Sequence, residues 1–202
     1  MTSQQLKVRE FFSDKCILIT GVTGFVGKVL LEKLLSTIPR IGKLYIMIRA
    51  KKGVELNDRL HGEIFGSPLF EPLFKDKPEL RKVVKERVVA IQGDLVIEKL
   101  GIDPVVREQV IAETQIILNS AASVSFHDPI KEALEINYFG TVRMLDLAHE
   151  CKNLIAMHHV STVGTNCNLP DGSVIKEEIT PFAGGSYDYE LLVREIVALT
   201  DQ

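Results

Sequence analysis

Three glycines spaced three apart, Gly21, Gly24 and Gly27, lie in the run Thr20-Gly21-Val22-Thr23-Gly24-Phe25-Val26-Gly27. Glycine at that spacing lets a backbone turn sharply, approach a phosphate and pack a helix tightly on a strand. The run follows an apolar segment, Cys16-Ile17-Leu18-Ile19, and leads into Lys28-Val29-Leu30-Leu31-Glu32-Lys33-Leu34-Leu35. Strand, glycine turn and helix in that order form the arrangement a dinucleotide pyrophosphate needs. The amides from Thr23 through Phe25 and Val26 would face the anion, helped by the positive end of the helix dipole.

Further candidates fall at the ends of other apolar runs. Arg49-Ala50-Lys51-Lys52 follows Leu44-Tyr45-Ile46-Met47-Ile48. A carboxylate there would accept a ribose 2′-hydroxyl, whereas Arg49, with Lys51 nearby, suits a 2′-phosphate and points to NADP(H). Asp94-Leu95 follows Val88-Val89-Ala90-Ile91; the Asp94 carboxylate either accepts an adenine amino group or caps the next turn. After Ile116-Ile117-Leu118, the small residues Asn119-Ser120-Ala121-Ala122-Ser123 leave room for a flat ribose and nicotinamide, with Ala121 and Ala122 against them. Ile155-Ala156-Met157-His158-His159-Val160 ends in Ser161-Thr162, two hydroxyls where a carbonyl would meet the nicotinamide. Asn137, in a helical stretch, is either a satisfied core amide or part of a proton relay. His127, His158 and His159 lack the matching carboxylates and thiols of a metal site, so none is expected.

These positions require an alternating scaffold. Apolar strands near residues 16–19, 44–48, 88–91, 116–118 and 155–160 alternate with helical patterns, which predicts a doubly wound parallel α/β sheet of the Rossmann type. The helices are expected at Lys28–Leu35, around Val54–Phe65, near Glu79–Lys85, from Pro104 to Glu113, from Pro129 to Cys151 and over Glu190–Thr200. Gly66–Lys77, with Pro68 and Pro72, reads as a loop-like insertion, and Pro170–Gly185 as a loop leaving the sheet. In the longest helix, Ile130, Ala133, Leu134, Asn137, Val142, Leu145 and Ala148 are expected to face inward.

Composition bounds the rest. The 202 residues suffice for one domain, and a net charge of −3 gives no reason to expect nucleic acid or an acidic membrane as partner. Cys16, Cys151 and Cys167 have no metal-ligand spacing, and the first and second fall in apolar elements, so reduced thiols are expected. No apolar run reaches the roughly 18 residues of a membrane span. A soluble, cytoplasmic protein, or one on the cytosolic face of an organelle, is the expectation, with a homodimer left open.

Thr20–Gly27, Asp94-Leu95, Ser120-Ala121-Ala122, Asn137-Tyr138-Phe139-Gly140-Thr141 and Val160-Ser161-Thr162 together resemble the extended short-chain dehydrogenases/reductases. Within them, Gly24–Leu35, Ile48-Arg49-Ala50-Lys51-Lys52-Gly53, His159–Thr162 and Asn166-Cys167 are similar to fatty acyl-CoA reductases. The resemblance implies NADPH as cofactor and a fatty acyl thioester, on coenzyme A or an acyl carrier, as substrate, reduced to aldehyde or on to alcohol. It also implies that Thr162 or Ser161 orients the carbonyl oxygen, that Asn137 serves a relay, and that a Tyr with a Lys four residues later donates the proton. No such pair occurs here: Leu191, Val193 and Val142 stand four residues after Tyr187, Tyr189 and Tyr138. Residues 1–202 are therefore expected to be one cofactor-binding domain, ending before the Tyr/Lys pair and inactive alone. Gly164 and Asn119 also replace a tyrosine and a histidine frequent in that family. The rival reading is a non-catalytic NADP(H)-binding sensor or scaffold. A nucleotide-sugar epimerase or dehydratase is disfavoured by Arg49, since those enzymes mostly prefer NAD.

Overall fold

The computed structural model describes residues 7–38, 40–178 and 188–200. Its centre is a parallel sheet of β1 (Ile17–Ile19), β2 (Leu44–Ile48), β3 (Val88–Gln92), β4 (Ile116–Asn119) and β5 (Ala156–His159). The strand order is β3-β2-β1-β4-β5. Order reverses on either side of β1, so a crevice opens at the carboxyl ends of β1 and β4. All residues of β1, β2 and β4 are buried, as expected for strands covered on both faces. β3 and β5 lie at the edges and are partly exposed.

Helices cover both faces. On one, Ile17, Ile19, Leu44, Ile46 and Ile116 pack with Leu31, Leu34 and Leu35 of α2 (Phe25–Thr37) and with an aromatic group, Phe65, Phe70 and Phe74. On the other, Leu18, Tyr45, Met47 and Ile117 meet Val110 of α6 (Pro104–Glu113) and Met144, Leu147 and Ala148 of α8 (Gly140–Glu150). Asp103 caps α6 by accepting from the Val105 and Val106 amides, and Pro104 occupies the first turn, where its missing N–H is not needed. A short α1 (Val8–Phe12) precedes the sheet, and α9 (Tyr189–Thr200) ends the described chain. Burial pushes the thiols of Cys16 and Cys151 up to about 11, while Cys167 is exposed.

Three expectations are corrected. The stretch read as a loop contains α4 (Phe70–Asp76), with Phe70, Leu73 and Phe74 buried; Pro72 sits in its first turn, where the N–H is dispensable. The next helix, α5 (Leu80–Arg87), lies where a basic helix was expected. The segment around Val54–Phe65 is α3 (Leu56–Asp58) continued as a π-helical stretch over Arg59–Phe65. The long helix likewise comprises α7 (Ile130–Leu134), a π-helical stretch over Glu135–Phe139, and α8. Gly140, Met144, Leu147 and Ala148 are buried, whereas Ile130, Val142 and Leu145 are exposed.

Candidate functional site

The glycine turn joins β1 to α2 at the sheet's carboxyl end. Gly21 has φ +76°, and a Cβ there would lie 2.6 Å from the Ser120 carbonyl carbon and 2.7 Å from the Ala121 nitrogen. A Cβ on Gly27 would come within 2.3 Å of the Gly21 carbonyl oxygen and 2.8 Å of Val22 Cα. Both glycines are therefore forced by backbone meeting backbone. The Gly24 amide donates to the Gly21 carbonyl at 3.0 Å, and Lys28 makes the first bond of the helix, to Gly24 O at 3.2 Å. No side chain caps the helix at Gly24. The amides of Phe25, Val26 and Gly27, which precede that first bond, thus have no acceptor within the helix. Phe25 is 83% exposed beside them. A row of free amides at a positive helix end can take a phosphate.

The next strand end is basic and already organised. Arg59 binds Glu63 through Nε at 3.1 Å and through a terminal nitrogen at 2.6 Å, while its other terminal nitrogen donates to the Arg49 carbonyl at 2.6 Å. Lys51 pairs with Glu63 at 3.3 Å. Chiefly through its bonds to Arg59, the Glu63 carboxyl is held down to about 2. Arg49 is exposed and, among the described residues, has no ion-pair partner. Of the two cations singled out by sequence, Lys51 is occupied and Arg49 is free. Arg59 and Glu63, which hold this loop, carried no signal beyond a charged pair four residues apart.

Across the ladder, Ile48 pairs with Gln92, so Arg49 and Gly93-Asp94 leave adjacent strands side by side. Asp94 Oδ1 accepts from the Val96 amide at 3.2 Å, so the carboxylate caps its own turn. Leu95 is buried against Gly140, and its carbonyl accepts from Arg143 at 2.8 Å.

β4 carries a polar group that sequence reading undervalued. Thr20 and Asn119 are fully buried. Thr20 Oγ1 donates to Asn119 Oδ1 at 2.6 Å and accepts from the Ser120 and Ala121 amides, each at 3.1 Å. The Asn119 amide nitrogen lies 3.1 Å from Nδ1 of His159. Neighbouring strand ends are thereby stapled through side chains. Thr20 faces Asn119 because Ile19 pairs with Leu118, a register a single sequence does not display. Ala121 is half-buried and Ala122 exposed on the loop beyond.

Asn137 lies in the π-helical stretch and is exposed, which removes the core-amide reading. It accepts from the Ser123 amide at 2.8 Å and donates to the Ser123 carbonyl at 3.0 Å. Ser123 Oγ donates in turn to Asp128, and this bond, with one from Ser125, holds the Asp128 carboxyl below its usual range. Beyond β5, Thr162 Oγ1 accepts from the Gly164 amide at 3.1 Å and caps the short helical turn Val163–Asn166. Ser161 is exposed two residues after His159. Tyr187 lies outside the described residues, and Tyr189 opens α9.

The carboxyl end therefore gathers the glycine turn, Arg49, Asp94, Ala121, Ala122, Asn137, Ser161 and Thr162. A cavity of about 660 Å³ opens at the amino end, lined by Asp14, Cys16, Arg40, Lys43 and Glu113 among others. Four of its charges pair with one another, Arg40 with Asp14 at 2.6 Å and Lys43 with Glu113 at 2.5 Å, and Glu86 and Arg87 line it as well.

Residues 19–197 match the family described as male sterility protein, an NAD-binding family. The chain is 37% identical over 163 residues to fatty acyl-CoA reductase 1 of Mus musculus, covering 81% of this chain and 31% of that protein. It is 34% identical over 209 residues to probable fatty acyl-CoA reductase 5 of Arabidopsis thaliana, covering 98% of this chain and 42% of that one. Among solved structures, the terminal R domain from the myxalamid PKS-NRPS biosynthetic pathway aligns with a TM-score of 0.66 and 26% identity, over 85% of this chain and 40% of that one. The chain thus spans 31% to 42% of the length of these relatives.

Proposed function

The chain belongs to the male sterility protein family, and from that premise we propose that it is the NADPH-binding part of a fatty acyl thioester reductase. The observation that carries the reading is the glycine turn, where backbone contacts admit no Cβ at Gly21 or Gly27 and no side chain caps the helix that follows. Thr23, Gly24, Phe25, Val26 and Gly27 surround the pyrophosphate in this reading. Arg49, free while Lys51 is paired, supports NADPH over NADH, because a guanidinium forms a fork with a 2′-phosphate. Asp94 and Leu95 flank the adenine, and Ala121 and Ala122 leave a flat wall for the ribose and nicotinamide.

Bound NADPH supplies hydride to the thioester carbonyl carbon, and loss of the thiol leaves an aldehyde. The residues of this chain bind and orient. Ser161 or Thr162 donates to the carbonyl oxygen; Thr162 Oγ1 accepts from the Gly164 amide, which orients the hydroxyl and leaves its proton free to donate. Asn137 fixes the Ser123 loop beside the site. In this reading a Tyr/Lys pair, absent from residues 1–202, donates the proton, and the acyl group is carried on coenzyme A or an acyl carrier. Residues 1–202 act in this reading as one cofactor-binding domain.

Titration of the chain with NADPH and NADH, for the natural sequence and for Arg49→Ala, tests the cofactor choice. Loss of a charge-assisted fork worth about 1.5–3 kcal/mol weakens NADPH roughly 10- to 100-fold and leaves NADH unchanged. Equal affinity for both, unmoved by the substitution, overturns it. Failure of the longer protein to reduce any fatty acyl-CoA with NADPH overturns the activity.

A further inference from the structure

The Thr20–Asn119–His159 chain has a direction that follows from counting lone pairs. A hydroxyl accepts two hydrogen bonds and donates one. Thr20 Oγ1 already accepts two, from the amides of Ser120 and Ala121. Its single proton must therefore leave toward Asn119, 2.6 Å away, and only the carboxamide oxygen can receive it. Turning the Asn119 amide over would aim an N–H at an oxygen with no lone pair left, inside a fully buried site. The Asn119 Nδ2 group is thus fixed toward His159 Nδ1, 3.1 Å away. That ring nitrogen has to be an acceptor, which puts the imidazole proton on Nε2.

Stapling the strands requires Thr20 and Asn119, both buried, but it does not require an exposed imidazole at the chain's end. His159 is exposed, Val160 continues the ladder by donating to the Asn119 carbonyl at 2.9 Å, and Ser161 follows. We propose that Thr20 and Asn119 lock His159 in its Nε2–H form, and that this N–H donates to a carbonyl oxygen brought to the ends of β4 and β5. Thr20 and Asn119 are positioning residues, and His159 is the binding residue. This rests on the reductase reading, in which two carbonyl groups reach that place, the cofactor's carboxamide and the acyl thioester.

The test is nitrogen-15 NMR of histidine-labelled chain, with His159 assigned by its loss in His159→Ala. The unliganded chain is expected to show a proton on His159 Nε2 and an unprotonated Nδ1. Asn119→Asp keeps the shape and the bond from Thr20 but turns an acceptor toward the ring, so Nδ1 is expected to gain a proton. An Nδ1–H form in the natural chain, or no response to Asn119→Asp, overturns the lock. Where that variant does not fold, Thr20→Ser, which keeps the hydroxyl, must retain the Nε2–H form, and its loss has the same force. NADPH and a long-chain acyl-CoA are then added separately and together. A shift of Nε2–H with NADPH alone assigns the carboxamide, and one that needs acyl-CoA assigns the thioester. No shift under any condition overturns the donor role. The backbone amides of Phe25 and Val26, followed in the same samples, separate the failures: if they move with NADPH and His159 does not, the donor role alone fails, and if neither moves the cofactor reading fails too.

Discussion

The two ends of this sheet are built on opposite principles. At the amino end, Lys43 and Tyr45 both donate to one carboxylate oxygen of Glu113, Lys43 at 2.5 Å and the Tyr45 hydroxyl at 2.8 Å, while Asp14 holds Arg40. The cavity there is large, but each of these charged groups has its partner inside the chain. At the carboxyl end the first amides of α2 and the Arg49 guanidinium are left without one among the described residues. What invites a ligand is hydrogen-bonding and charge capacity left open by the fold, rather than empty volume.

Substitutions at the two ends should therefore behave differently. The largest effect is expected from Gly27→Ala, whose Cβ would collide with Gly21 and Val22 backbone that cannot rotate away. A loss of about 3 kcal/mol, the upper part of the overpacking range, should lower the midpoint of thermal unfolding and abolish NADPH binding. Thr20→Val comes next. It leaves two amides and the Asn119 carboxamide oxygen unpaired in a buried place, costing about 2 kcal/mol by denaturant titration. NADPH affinity should fall as well, because Ser120 and Ala121 lose their anchor to the glycine turn.

At the amino end, Glu113→Gln should cost less than about 1 kcal/mol, since the pair is partly exposed, and leave NADPH affinity unchanged. The same site has a pH signature. The hydrogen bond from Lys43 holds the Glu113 carboxyl below its ordinary value of 4.5, so the folded state binds its proton less readily than the unfolded chain. Its contribution is fully present above about pH 4.5 and is lost as pH falls through the lower folded value. Denaturant melts of the natural chain and Glu113→Gln should thus converge toward low pH. Divergence there, or a loss of NADPH affinity in Glu113→Gln, would break the contrast between the ends.

Much of the carboxyl end was legible because its chemistry is written in consecutive residues. Apolar runs gave the strands, glycine spacing gave the turn, and Arg49 stood directly after β2. Features that depend on register or phase were not legible. Thr20 and Asn119 are distant in sequence and meet only through the pairing of Ile19 with Leu118. The inward face of α8 was misjudged because Val142 and Leu145 were chosen as apolar residues, whereas Gly140, Met144, Leu147 and Ala148 continue the regular period from Ile136. α4 was hidden by Pro72, which breaks a helix interior but not a first turn. Fold class needed only local patterns, and the arrangement of the site needed the sheet.

Mapping backbone amide shifts across an NADPH titration tests the central claim most directly, because it reports both ends of the sheet in one experiment. The account predicts that Phe25, Val26, Gly27 and Arg49 shift together and saturably, while Lys43, Tyr45 and Glu113 stay in place. Shifts centred on Lys43, Glu113 and the amino-end cavity, with the glycine turn unmoved, would contradict it.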